Sequence, residues 1–158
     1  MAERVPPEAS ALLNTRNILV PCDGSDICFS ALALACDVAH RNAGRVYAVH
    51  VIVVRRSLPL DAEMVAETRR GNDILTRAER IGAAIGQGVE TELLQARDAG
   101  SSIVDEASNL GVDAIFLGLE LKERIAEPTV GAKIDHLLQQ AQCQVWIFRD
   151  TLADEDRV

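Results

Sequence analysis

Few groups in this chain have the type and spacing that chemistry needs. Cys22, Cys28, Cys36 and Cys143 include no Cys-x-x-Cys pair and have no histidine at zinc-ligand spacing. That pattern disfavours both a metal knuckle and a disulfide framework, so all four read as reduced, mostly buried small residues. Cys22 would be a redox thiol if the following helix N-terminus lowered its pKa, but burial at a strand end is the commoner reason for a cysteine there. The three histidines are scattered: His40 falls late in a predicted helix, His50 inside a predicted strand and His136 on the last predicted helix. No Ser-His-Asp or Cys-His arrangement assembles from them, and each reads as structural or solvated. The informative positions are turn residues just after predicted strands, because an open parallel sheet gathers ligands outside the carboxyl ends of its strands. Here these are Cys22-Asp23-Gly24-Ser25, Arg55-Arg56, Arg97-Asp98-Ala99-Gly100 and the segment 118–132.

The elements that must position them follow from hydrophobic periodicity. Residues 17–22 form an apolar run without polar alternation, as in a strand buried on both faces, and Asp23-Gly24-Ser25 supplies a tight turn with Ser25 as the cap of the next helix. Phe29, Leu32, Cys36 and Ala39 make one helical stripe, which Gly44 is expected to terminate. A second strand covers 46–54. Met64, Ile74, Leu75, Ala78, Ile81 and Ile85 then predict a long amphipathic helix over about 61–86. Residues 89–96 alternate apolar with Glu90 and Glu92, the pattern of an edge strand with one solvated face. A helix over 102–110 is expected to start at a Ser102 and Asp105 capping box and to end at Gly111. The fourth strand is 114–117. Thr129 is expected to cap a last helix bearing Val130, Ile134, Leu137, Leu138 and Ala141, and 145–148 is the fifth strand. Five strands alternating with four helices predict an α/β fold of repeated βα units.

The chain has 158 residues, 48% of them hydrophobic and 25% charged, which suits one compact domain. We divide it into a mobile N-terminal segment 1–15, a domain over 16–150 and an acidic tail 151–158 containing Asp154, Glu155 and Asp156. Aromatic residues are limited to Phe29, Tyr47, Phe116, Trp146 and Phe148. The core is therefore aliphatic, and stacking along single-stranded nucleic acid is disfavoured. A net charge of -8 repels phosphate backbones and anionic lipid heads alike, so no nucleic-acid partner is expected. The longest apolar run, around 46–54, is far short of a bilayer span, and no basic segment followed by an apolar stretch opens the chain. The expectation is a cytoplasmic protein without membrane insertion. Val145, Trp146, Ile147 and Phe148 are consecutive apolar residues on what would be an edge strand, with no Pro or Lys to blunt it, and predict a symmetric homodimer paired through that strand.

A family resemblance rests on four stretches in order. Asn17-Ile18-Leu19-Val20-Pro21 running into Asp23-Gly24-Ser25, then Val49-His50-Val51, then Gly111-Val112-Asp113-Ala114-Ile115-Phe116-Leu117-Gly118, and finally Cys143-Gln144-Val145-Trp146-Ile147-Phe148-Arg149 together resemble the universal stress protein family. No single stretch is specific; their order and spacing are. The resemblance covers about 17–149. It implies an open five-stranded parallel sheet in the order 3-2-1-4-5 with helices on both faces, Rossmann-like and similar to adenine nucleotide alpha hydrolases, with the crevice between strands one and four. It also implies a dimer of the kind predicted above, with Gln144 in place of the usual Pro ahead of the strand.

Family members that bind ATP share Gly, two residues, Gly, nine residues, Gly, then Ser or Thr after the fourth strand. Here Gly118 and Gly131 match at the right spacing, Leu121 replaces the second Gly and Ala132 replaces the hydroxyl residue. Glycines there let backbone N–H groups approach a phosphate, and the helix N-terminus adds favourable partial charge. Leu121 obstructs that approach, Ala132 supplies no hydroxyl, and Glu120, Glu123 and Glu127 outnumber Lys122 and Arg124 in the loop. Arg55, Arg56 or Arg97 would have to compensate. Asp23 and Val51 match the positions that meet the ribose or adenine end, although a turn role explains Asp23 as simply and a plain core role is the favoured reading of Val51. The resemblance thus implies a non-catalytic stress-response or regulatory domain with a degenerate adenine-nucleotide site, taking ATP or AMP weakly if at all. The alternatives are a cytosolic regulatory domain or partner of a membrane transporter, and an ATP-binding signalling protein with a restored site. ATP-pyrophosphatase or nucleotidyl-transfer chemistry would need a Gly-rich phosphate loop at the first strand or a paired-His motif, and Pro21-Cys22-Asp23-Gly24-Ser25 supplies neither.

Overall fold

The computed structural model describes residues 2–120 and 128–149, with residues 128–133 described by their backbone alone. In chain order the elements are α1 (Pro7–Leu13), β1 (Ile18–Pro21), α2 (Asp26–Arg41), β2 (Val46–Val53), α3 (Val65–Ile85), β3 (Val89–Ala96), α4 (Ala99–Leu110), β4 (Ala114–Leu119), α5 (Pro128–Gln140) and β5 (Gln144–Arg149). The strands form one five-stranded sheet in the order β3-β2-β1-β4-β5. Every pairing is parallel, with Ile18 opposite both Val46 and Ala114 and with Phe116 opposite Trp146. The predicted fold class and strand order are thus observed.

Alternation along the central strands divides the core between two faces. Ile18 and Val20 of β1, with Val46, Ala48 and Phe116, pack under α2 and α3. Leu19, with Val49, Ile115 and Leu117, packs under α4 and α5 through Ile103, Ala107 and Leu137. β1 is buried at all four positions, as a strand covered on both faces must be. β3 shows the expected half-solvated edge pattern at its start. At the opposite edge, Trp146 stacks on Phe116 with ring centroids 4.7 Å apart, and its indole N–H donates to Oε1 of Gln144 at 3.1 Å. One aromatic cluster thus anchors β5 to the centre of the sheet.

Several local expectations are corrected. Within 1–15 there is a helix that the sequence pattern did not place, α1, begun by Pro7 at its first helical position, where the missing N–H costs nothing. No residue of α1 is buried, but Thr15 behind it is, and Nδ2 of Asn42 donates to the Thr15 carbonyl at 2.7 Å. After α2 it is Ala43 that takes the left-handed conformation, with φ of 54°. Gly44 is required for another reason: a Cβ there would lie 1.8 Å from the carbonyl oxygen of Arg16. α3 begins at Val65, not near residue 61, and ends as predicted at a left-handed Gly86. α4 begins three residues earlier than expected, capped by Asp98, whose carboxylate accepts from the backbone N–H of Ser101 at 2.7 Å, so Ser102 is no cap. α5 includes Pro128 and Thr129 in its first turn, so Thr129 does not stand ahead of the helix as its cap.

Candidate functional site

The carboxyl ends of β1 and β2 open into a cavity of about 920 Å³ that is closed on one side by α3 and reached by Glu120 just beyond β4. Its floor is built by the turn that follows β1. There Asp23 folds back on the chain, Oδ1 accepting from the backbone N–H of Ser25 at 2.9 Å and from its hydroxyl at 2.6 Å. This Asx turn orients Ser25, whose own oxygen accepts from the N–H of Cys28 at 3.4 Å and caps α2. Gly24 between them has φ of 92°, a conformation that side chains rarely adopt, and packs against Ile74 of α3.

β2 supplies the second wall through Val51, half-buried, and His50. Nδ1 of His50 lies 2.7 Å from the carbonyl oxygen of Cys22. A carbonyl can only accept, so Nδ1 carries the proton in this bond and locks β2 to the end of β1. The helix above can lie close because Gly71 faces this histidine: a Cβ at residue 71 would stand 2.8 Å from Cδ2 of His50 and 2.6 Å from Cδ1 of Leu93. Along the same side of α3 and the residue preceding it, Met64, Glu67 and Arg70 line the cavity, and a guanidinium nitrogen of Arg70 donates to the Asp23 carbonyl at 3.3 Å.

The charges converging on the cavity are the carboxylates of Asp23, Glu67 and Glu120 and the guanidinia of Arg55 and Arg70. Arg97 does not join them. Its guanidinium donates to the carbonyls of Val54, Arg55 and Leu58 and so pins the connection between β2 and α3. Among the described residues the cleft is thus of mixed polarity, lined by three carboxylates and two guanidinia.

Of the residues singled out from the sequence, Asp23 and Val51 meet in this cavity. Gly118 sits near the end of β4 against the first turn of α2, where a Cβ would stand 2.7 Å from the Ile27 carbonyl oxygen. Close helix packing thus accounts for that glycine without any ligand. Gly131 and Ala132 fall within the first turns of α5, while Leu121 and the acidic positions Glu123 and Glu127 lie outside the described residues. Sequence reasoning missed His50, Met64, Glu67 and Arg70. The signal for the last three was present: Met64, Glu67 and Arg70 recur at intervals of three, a single helix face, on the element after the second strand.

Comparison with known proteins agrees with this geometry. The family model described as the universal stress protein family matches residues 14–149. A universal stress protein of Methanocaldococcus jannaschii is 26% identical over 140 residues, covering 85% of this chain and 82% of that protein. Among solved structures, a universal stress protein from Archaeoglobus fulgidus superposes with a TM-score of 0.70 at 22% identity, covering 84% of this chain and 97% of that one. One from the same organism solved in complex with dAMP gives 0.67 at 22% identity, covering 84% and 96%.

Proposed function

The chain belongs to the universal stress protein family, and we propose that it is a non-catalytic regulatory domain that binds an adenine nucleotide weakly in the cavity at the ends of β1 and β2 and acts as a homodimer. The observation that carries this reading is the cavity itself. Its volume of about 920 Å³ falls in the range of about 300–1,000 Å³ typical of small-molecule sites, and Asp23 and Val51, which match the family's ribose and adenine positions, both line it. The dAMP held by the A. fulgidus relative supports a nucleoside monophosphate as the ligand class.

Weak affinity follows from what the triphosphate end would meet. Glu120 and Glu67 place negative charge at the cavity, Arg70 is partly engaged by the Asp23 carbonyl and Arg97 by the loop carbonyls. Leu121 and Ala132 remove a glycine and a hydroxyl from the family's phosphate-binding signature. An adenosine moiety therefore gains most of the available contacts, and each further phosphate gains little. The non-catalytic assignment rests on the first turn, Pro21-Cys22-Asp23-Gly24-Ser25, which carries neither a Gly-rich phosphate loop nor paired histidines.

Dimerisation rests on β5. Among the described residues this strand pairs only with β4, and its other edge leaves backbone groups for a second copy, with Ile147 exposed and Val145, Trp146 and Phe148 half-buried beside it. Titration calorimetry with Mg-ATP against the native chain and the double variant Leu121→Gly/Ala132→Ser tests the site. Restoration of both signature residues is expected to tighten ATP binding at least about tenfold, or ~1.4 kcal/mol. Equal affinity in the two proteins would refute the assignment of the weakness to these positions.

A further inference from the structure

Residues at the end of β3 clasp the connection between β2 and α3. Ala96 accepts from the Val54 N–H at 2.8 Å, and Arg97 just beyond it donates to the carbonyls of Val54 at 3.3 Å, of Leu58 at 2.8 Å and of Arg55. From the same strand end, Nε2 of Gln95 donates to the carbonyls of Leu60 at 3.0 Å and of Ala62 at 3.1 Å. The connection also folds on itself, with the Leu58 N–H donating to the Arg55 carbonyl at 3.0 Å and the Ala62 N–H to the Pro59 carbonyl at 3.0 Å. A connection held at so many points is ordered before any ligand arrives.

Arg55 is the residue that this clasp places at the cavity. Its carbonyl accepts from both Arg97 and Leu58, whereas its side chain, exposed and lining the cavity, makes no hydrogen bond or ion pair among the described residues. The neighbouring cations are committed or stand elsewhere. Arg70 donates to the Asp23 carbonyl, Arg97 uses its guanidinium on the connection, and Arg56 does not line the cavity. Carbonyl oxygens that would repel an anion are turned towards Gln95 and Arg97. The Arg97 charge, hydrogen-bonded to the Arg55 carbonyl, adds positive potential behind Arg55.

We propose that Arg55 binds the single phosphate of a nucleoside monophosphate in this cavity, and that Arg97 and Gln95 are positioning residues that hold the Arg55 backbone in place for it. The proposal rests on the nucleotide reading above and deepens it. A guanidinium presents parallel N–H donors that match two oxygens of a phosphate, a fit that an ammonium or an amide does not reproduce. The contact comes from the connection after β2, not from the segment after β4, where Leu121 and Ala132 depart from the family's signature. A second phosphate gains little, because the remaining cation among the described cavity residues, Arg70, is engaged by the Asp23 carbonyl, while Glu67 and Glu120 belong to the same lining. One phosphate is recognised and the next is not.

The test titrates AMP and adenosine by calorimetry into the native chain, Arg55→Gln, Arg56→Gln and Arg97→Gln, with a ligand-free melt of each. AMP is expected to bind the native chain and Arg56→Gln at least about fivefold tighter than adenosine, and Arg55→Gln to bind the two alike with its melt unchanged. A preference for AMP that survives in Arg55→Gln, or that is lost equally in Arg56→Gln, overturns the assignment. Arg97→Gln is expected to weaken the preference for AMP, to leave adenosine affinity unchanged and to speed hydrogen exchange at the Leu58 and Ala62 amides without ligand. Gln95→Ala should speed exchange at Ala62 and serves as the second variant if Arg97→Gln does not fold. Unchanged exchange overturns the clasp. Adenosine bound as tightly as AMP by the native chain overturns the phosphate contact and leaves the adenosine reading standing, whereas binding of neither overturns the proposed function and this inference together.

Discussion

Gly118→Ala tests whether the glycine near the end of β4 serves packing or phosphate. In the structure an added Cβ would stand 2.7 Å from the carbonyl oxygen of Ile27, 2.8 Å from its carbonyl carbon and 2.9 Å from the nitrogen of Cys28. All three are backbone atoms of the first turn of α2, so no side chain can rotate out of the way. Relief requires that turn to retreat by several tenths of an ångström, against the Ser25 cap and the core contacts of Cys28 and Phe29. Overpacking of this kind costs about 1–3 kcal/mol. For a domain of this size each kcal/mol shifts the melting temperature by about 2–4 °C, so Gly118→Ala is expected to melt roughly 2–12 °C lower. The assay is reversible thermal unfolding followed by far-ultraviolet circular dichroism, with no nucleotide added. A glycine kept only for a phosphate would leave the nucleotide-free melt unchanged, and a shift smaller than about 1 °C would refute the packing argument.

Asp98→Ala removes the cap of α4 and is expected to cost ~1 kcal/mol in chemical denaturation; an unchanged midpoint would remove the cap assignment. The hydroxyl and then the backbone N–H of Ser101 hold the Asp98 carboxyl below the usual carboxylate range. Its stabilisation is therefore present above that range and lost as pH falls through the lowered value, so Asp98→Asn should flatten the acid limb of stability against pH. Ile147→Lys places a charge on the open edge of β5, and light scattering at micromolar concentration should then show a monomer where the native chain gives twice the mass of 17.1 kDa; a native monomer would refute the dimer.

The architecture was legible because it depends on patterns that survive any local misreading. Uninterrupted apolar strands, alternation at 89–96 and helical stripes at Phe29, Leu32, Cys36 and Ala39 each demand burial against a sheet, and the burial observed at those residues follows. Helix starts were harder to read, for a physical reason. Asp98, Ser101, Ser102 and Asp105 can all accept from a helix N-terminus, and the choice falls to Asp98 because α4 begins close after β3, with Gly100 against α5 where an added Cβ would stand 3.2 Å from Cβ of His136. The Ala43-Gly44 end of α2 was misread similarly: glycine suggests a left-handed cap, whereas the close passage of Arg16 reserves Gly44 and leaves Ala43 to take the positive φ. In the cavity, Asp23 and Val51 were visible from their places after strands one and two. The spacing of Met64, Glu67 and Arg70 shows that they share one helix face, but exposed charges on a long amphipathic helix look alike, so that face could be tied to the cavity only once the helix is laid across the strand ends.

The central claim is that the cleft recognises the adenosine end of a nucleotide and gains little from a phosphate tail. Parallel titrations of AMP and Mg-ATP into the reduced native protein test it most directly. The account predicts weak binding of both, with ATP no tighter than AMP. Sub-micromolar ATP binding, or ATP tighter than AMP by tenfold, about 1.4 kcal/mol, would contradict it.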